Sequence, residues 1–87
     1  MGQRRTLRLN PDDNVVVAIA ALPAGSPVEG RVVAAARVPR GHKVASRRIA
    51  AGEPIRKFGQ VIGFARTDID PGAWVHESNV TMGAFDR

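Results

Sequence analysis

His42 and Lys43 are the most chemically capable neighbours in the chain. Imidazole can hold or move a proton near neutral pH, and an ammonium group beside it offers positive charge to an anion. The pair follows Val38-Pro39-Arg40-Gly41, where proline fixes φ and glycine accepts a backbone shape that side chains avoid. Such a turn would launch both side chains in defined directions. The only other histidine is His76. Two histidines far apart make half a metal site at most, and no cysteine adds a ligand, so metal ligands cannot be assigned from the sequence. The plain alternative for either histidine is a hydrogen-bonded turn or strand residue. Asp12-Asp13-Asn14 has oxygen ligands for a cation, but its setting reads better as a turn. Ser-His-Asp order with a nucleophile elbow, a P-loop and a dinucleotide fingerprint are all missing. Gly59-Gln60-Val61-Ile62-Gly63 is too sparse to cradle phosphate and reads as a turn or bulge.

The elements that must position these residues are short. Four apolar stretches end in turns closed by glycine: Leu22-Pro23-Ala24-Gly25, Val38-Pro39-Arg40-Gly41, Ile49-Ala50-Ala51-Gly52 and Ile69-Asp70-Pro71-Gly72. They predict surface reversals between short strands. Thr6-Leu7-Arg8-Leu9 suits an edge strand, and Asn10-Pro11-Asp12-Asp13 a turn. Asn14 to Ala20, rich in β-branched residues, is the clearest strand. Val28 to Val38 reads as one further extended region, and Lys43 to Ala50 as a stretch with a single helical turn. Gly52-Glu53-Pro54-Ile55 reads as a reversal. Gln60 to Ala65 is a strand whose Gly63 marks a bulge or a close backbone approach, and Ala73 to His76 is the last strand. The predicted class is all-β, with one or two helical turns, in one domain spanning residues 1–87.

A chain of 87 residues builds only a thin core. A net charge of +5, with arginine supplying 11 of 13 basic residues, raises the question of nucleic acid or an anionic ligand. The basic residues are spread along the chain without interleaved aromatics, which disfavours base stacking, so nucleic acid is not expected. No apolar stretch is long enough to span a membrane or to serve as a secretory leader behind the basic start. With no cysteine as well, the expectation is a cytoplasmic protein.

Four stretches, in order, resemble one family. Leu9 through Ala18 is similar to its opening segment, Val38-Pro39-Arg40-Gly41-His42-Lys43-Val44-Ala45 to its Gly-His-Lys turn, Ile49 through Gly63 to its Lys-Tyr-Gly stretch, and Gly72 through Val80 to its Val-His ending. The family is the SAF domain of altronate and galactarate dehydratases, with a related small subunit in sulfolactate sulfo-lyases. Phe58 stands where tyrosine is common, and Ser78 where a second histidine is frequent, which leaves His76 as the histidine there.

The resemblance implies a β-clip fold and a hydro-lyase that removes water from a sugar acid. It implies a divalent metal, Fe2+ or Mn2+, held mainly by a large dehydratase domain or subunit. The small domain would close over the substrate, with His42 and Lys43 as catalytic candidates and Asn14, His76 and Asn79 as substrate-binding candidates. A non-catalytic carbohydrate-binding or assembly module is the alternative. The acid itself, a homo-oligomer and whether Arg87 is a natural end stay open. The tail from Thr81 resembles the start of the family's connector.

Overall fold

The computed structural model describes residues 5–82. The basic start up to Arg4, and the tail from Gly83 with Phe85, lie outside the described residues. Among the described residues nine short strands form: β1 (Thr6–Leu7), β2 (Val15–Ala18), β3 (Pro27–Glu29), β4 (Val32–Val33), β5 (Lys43–Ala45), β6 (Pro54–Lys57), β7 (Gln60–Ala65), β8 (Trp74–Val75) and β9 (Val80–Thr81). They make a four-stranded sheet in the order β1-β2-β5-β8, a β3-β4 hairpin and a three-stranded sheet β6-β7-β9, with every pairing antiparallel.

The central strands are apolar on both faces, as strands covered from both sides must be. Val15 and Ala45 join one core with Ile49, Ile55, Ala65, Ile69 and Val75. Val16, Ala18 and Val44 join the other with Leu22, Val28, Ala34 and Val38. Each core is closed by one hairpin and one bridge: Leu22 with Val38 in one, Ile49 with Ile69 in the other.

The two halves repeat one plan. Leu22, Gly25, Val28 and Ala34 correspond to Ile49, Gly52, Ile55 and Ala65. Gly25 and Gly52 donate their amides to the Ala34 and Ala65 carbonyls, at 2.7 and 2.8 Å. Gly41 and Gly72 donate theirs to Ala18 and Ala45, at 2.7 and 2.8 Å. All four turn glycines have φ between 85° and 87°.

Several expectations need correction. Val28 to Val38 is not one extended region, because the chain reverses at Gly30-Arg31 to make the β3-β4 hairpin. No helical turn occurs among the described residues. Lys43 to Ala45 is held as strand by β2 on one side and β8 on the other. Pro54 and Ile55 already belong to β6. β8 is followed by a further strand, β9, on β7. Three of the glycine turns lie at the surface, but Gly72 is buried, because the chain leaving β4 crosses it and Ala35 donates its amide to the Gly72 carbonyl at 2.9 Å. Gly63 does mark a close approach: a Cβ there would lie 2.7 Å from Val80 Cγ1 on β9.

Arg8 ties the end of β1 to three other segments. Its guanidinium makes a two-pronged ion pair with Glu29 and donates to the Asp13 carbonyl at 2.8 Å and Ser46 Oγ at 3.2 Å. The hydrogen bond from Arg8 holds the Glu29 carboxyl below its ordinary range. A carboxyl depressed in the folded state adds stability that is complete above its unfolded value and lost as pH falls through the folded one. The urea midpoint is therefore expected to hold down to about pH 5 and to fall below it. Glu29→Gln should flatten that fall, as acid titration of both proteins followed by circular dichroism would show.

Candidate functional site

The turn before β5 is pinned to β2. The His42 carbonyl accepts from Ala18 N at 2.9 Å, and His42 N donates to the Pro39 carbonyl at 3.2 Å. Lys43 pairs with Val75 and Val44 with Trp74. Continuing that register one step puts His42 opposite His76. Side chains on a strand alternate between faces, so His42, Trp74 and His76 share one face of the sheet and Lys43 takes the other.

The contacts agree with that placement. Trp74 Nε1 donates to His42 Nδ1 at 3.1 Å, and the two rings meet edge to face with centroids 5.4 Å apart. On its other contact Trp74 lies against the His76 ring, centroids 4.2 Å apart and tilted by 37°. The structure thus gathers two histidines 34 residues apart in sequence around one indole. An indole N–H can only donate, so neutral His42 has Nδ1 as acceptor and carries its hydrogen on Nε2. His42 is exposed, so that donor is open to an incoming group. The Ser78 hydroxyl lies 2.9 Å from His76 Nδ1.

Trp74 was readable in the sequence only as a strand residue. Its role comes from a pairing across 32 residues that no local pattern carries.

Asn79 and Asn14 are brought into the structure differently from the sequence expectation. Asn79 Nδ2 donates to the Trp74 carbonyl at 3.0 Å, and its Oδ1 accepts from His76 N at 2.9 Å. Its amide is spent on holding the turn that carries His76. Asn14 is 1% exposed. Its Nδ2 donates to the Pro54 carbonyl at 2.9 Å and its Oδ1 accepts from Arg56 N at 2.8 Å, which clamps β6 to the start of β2. Both asparagines use their side-chain amides to build the frame.

Lys43 differs from its exposed neighbour His42. It is half-buried within β5, and no carboxylate pairs with it among the described residues. Burial pushes its ammonium below the ordinary range, and the charge of Lys57 adds to the effect.

The described residues do not make a metal centre. No group of three or more His, Asp or Glu converges among the described residues, and one nitrogen of His42 is already taken by Trp74. A shallow groove of about 260 Å³ lies elsewhere, lined by Arg8, Leu9, Asn10 and Pro11. Among the described residues no helix is long and apolar enough to cross a membrane.

Comparison with curated proteins gives no match. A family model described as the altronate/galactarate dehydratase SAF domain matches residues 4–83, nearly the whole chain. The chain therefore belongs to the altronate/galactarate dehydratase SAF domain family.

Proposed function

We propose that this domain serves a sugar-acid dehydratase as its N-terminal domain or small subunit, closing over a substrate held by the large catalytic domain or subunit. In this reading the divalent ion, Fe2+ or Mn2+, belongs to that large partner. Family membership supports the reaction class. The observation that carries the domain's own part is the Trp74-to-His42 hydrogen bond, which leaves Nε2–H of an exposed imidazole facing outward.

Loss of water from a 2,3-dihydroxy acid removes a weakly acidic proton beside a carboxylate and expels a hydroxyl. The expelled hydroxyl gathers negative charge as it leaves, and a positioned Nε2–H can donate a hydrogen bond to it there. The chemistry gains further when charge develops against fixed donors with water excluded, which closure of a small domain achieves. His76, stacked on the same indole, is placed to contact the substrate. Lys43 addresses the reaction through its charge from the other face of the sheet, not as a second donor to the same atom.

Trp74→Phe tests this reading, since it keeps a ring but removes the N–H. In the assembled enzyme, turnover is expected to fall about tenfold, the effect of losing roughly 1.4 kcal/mol of positioning, with KM little changed. In the 87-residue chain, nitrogen chemical shifts should show His42 losing its single tautomer, with a modest drop in melting temperature because the indole packs on the core around Val44. Unchanged turnover together with a mixed tautomer would remove His42 from the chemistry.

A further inference from the structure

The tip of the β6-β7 hairpin presents a different arrangement. Phe58 has φ 60°, the only left-handed residue other than glycine among the described residues, and it is 69% exposed. A bulky side chain in that backbone region is strained, and asparagine is the residue that suits the first position of such a two-residue turn. The ring recovers little of this by burial within the domain.

The strain is nevertheless held in place. Asp13 is 6% exposed, and its two carboxylate oxygens accept from Phe58 N at 2.7 Å and Gly59 N at 2.8 Å. Gly59 packs so closely on the preceding turn that a Cβ would lie 2.8 Å from Asn10 Nδ2. The tip is therefore fixed in advance, with its aromatic side chain offered to the outside. Val61, 46% exposed, adds apolar surface on the same hairpin. Arg56 and Lys57 precede Phe58 at the end of β6, and no carboxylate pairs with either among the described residues.

We infer that this tip is the anchor by which the domain docks onto the catalytic domain or subunit, with Phe58 entering an apolar pocket rimmed by carboxylates. The inference rests on the dehydratase reading above. Rigid, exposed aromatics are the residues that dominate binding energy at interfaces, and one fixed beforehand loses little freedom on docking. The position also suits the task. Asp13 lies just before β2, and His42 is bonded to Ala18 at its far end, so the anchor and the chemistry sit at opposite ends of that strand. A domain that closes over a substrate needs a hold that does not occupy the substrate's place.

Phe58→Asn separates the two roles. Relief of backbone strain should raise the melting temperature of the 87-residue chain by about 4 °C. Its affinity for the catalytic domain or subunit, measured by calorimetric titration, should fall at least tenfold. Turnover at saturating concentrations of the variant should equal that of the unchanged domain.

Equal affinity of variant and parent would overturn the inference, and so would a lowered melting temperature, which would place the ring's contribution inside the domain. Loss of self-association or of sugar-acid binding, with docking intact, would assign the tip to a second copy or to the substrate instead. If the parent chain itself fails to bind the catalytic partner, the dehydratase reading fails and this inference with it. If the parent binds, the variant binds equally and His42→Ala still lowers turnover, only the docking assignment falls.

Discussion

Replacing Gly72 with alanine is expected to cost about 4 kcal/mol or more and to leave little folded protein. Two effects add. The residue sits at φ 85°, where any L side chain is strained by about 1–2 kcal/mol. The larger effect is steric. A Cβ at Gly72 would stand 1.9 Å from the Val33 carbonyl oxygen, 3.0 Å from its carbon and 3.3 Å from Ala35 N. These are backbone atoms, so they yield only if the end of the β3-β4 hairpin moves away. That movement breaks the bond from Ala35 N to the Gly72 carbonyl and opens the core around Ala34. Domains this small hold only about 5–15 kcal/mol in total, usually near the lower end. Gly41→Ala is the control. It has the same φ but open space where the Cβ would go, so about 1 kcal/mol is expected. Urea unfolding of both variants decides the matter, and equal losses would mean that the hairpin does not press on the Gly72 turn.

His42→Ala should lower turnover of the assembled dehydratase about 10²-fold or more while the melting temperature stays where it was. The second half follows from exposure: the His42 side chain gives up one hydrogen bond to Trp74 and no core packing. Lys43 should behave differently. Its half-buried stem lies on the opposite face, so Lys43→Met, which keeps the stem and removes the charge, should lower turnover far less and raise stability slightly by relieving a buried charge beside Lys57. Steady-state kinetics and calorimetry on the three proteins would separate these patterns. An equal loss from both variants would mean that the two side chains serve the same atom despite the sheet between them.

What could be read in advance was the part of the structure written locally. The four turns follow from glycine and proline spacing, and all four glycines adopt the left-handed backbone. β2 follows from a run of valines. The helical turn expected within Lys43 to Ala50 does not occur, and Lys43 to Ala45 is strand although its neighbours there favour no single local form. Its strand exists through pairing with segments 26 residues before and 32 after, such as Lys43 with Val17 and Val75. The family resemblance pointed to His42 and His76, but neither spacing nor composition showed that Trp74 would join them. Asparagine was rightly marked as a residue that both donates and accepts. Whether it offers those groups outward or spends them on backbone is set by burial, and Asn14 and Asn79 spend them inside.

β5 is both the closing strand of the first repeated half and the opening strand of the second. Its Val44 completes one core and its Ala45 the other, so neither half owns a complete set of walls. The repeat therefore does not confer modularity. A duplicated plan ordinarily lets one unit melt while the other persists, but here loss of either hairpin strips a face from the strand that the other depends on. Exchange of the Val44 and Ala45 amides with solvent has no local route and must wait for global opening. The domain is symmetric in architecture and indivisible in cooperativity, and a cut anywhere between Leu22 and Val75 would yield two fragments that have to find each other before either can fold.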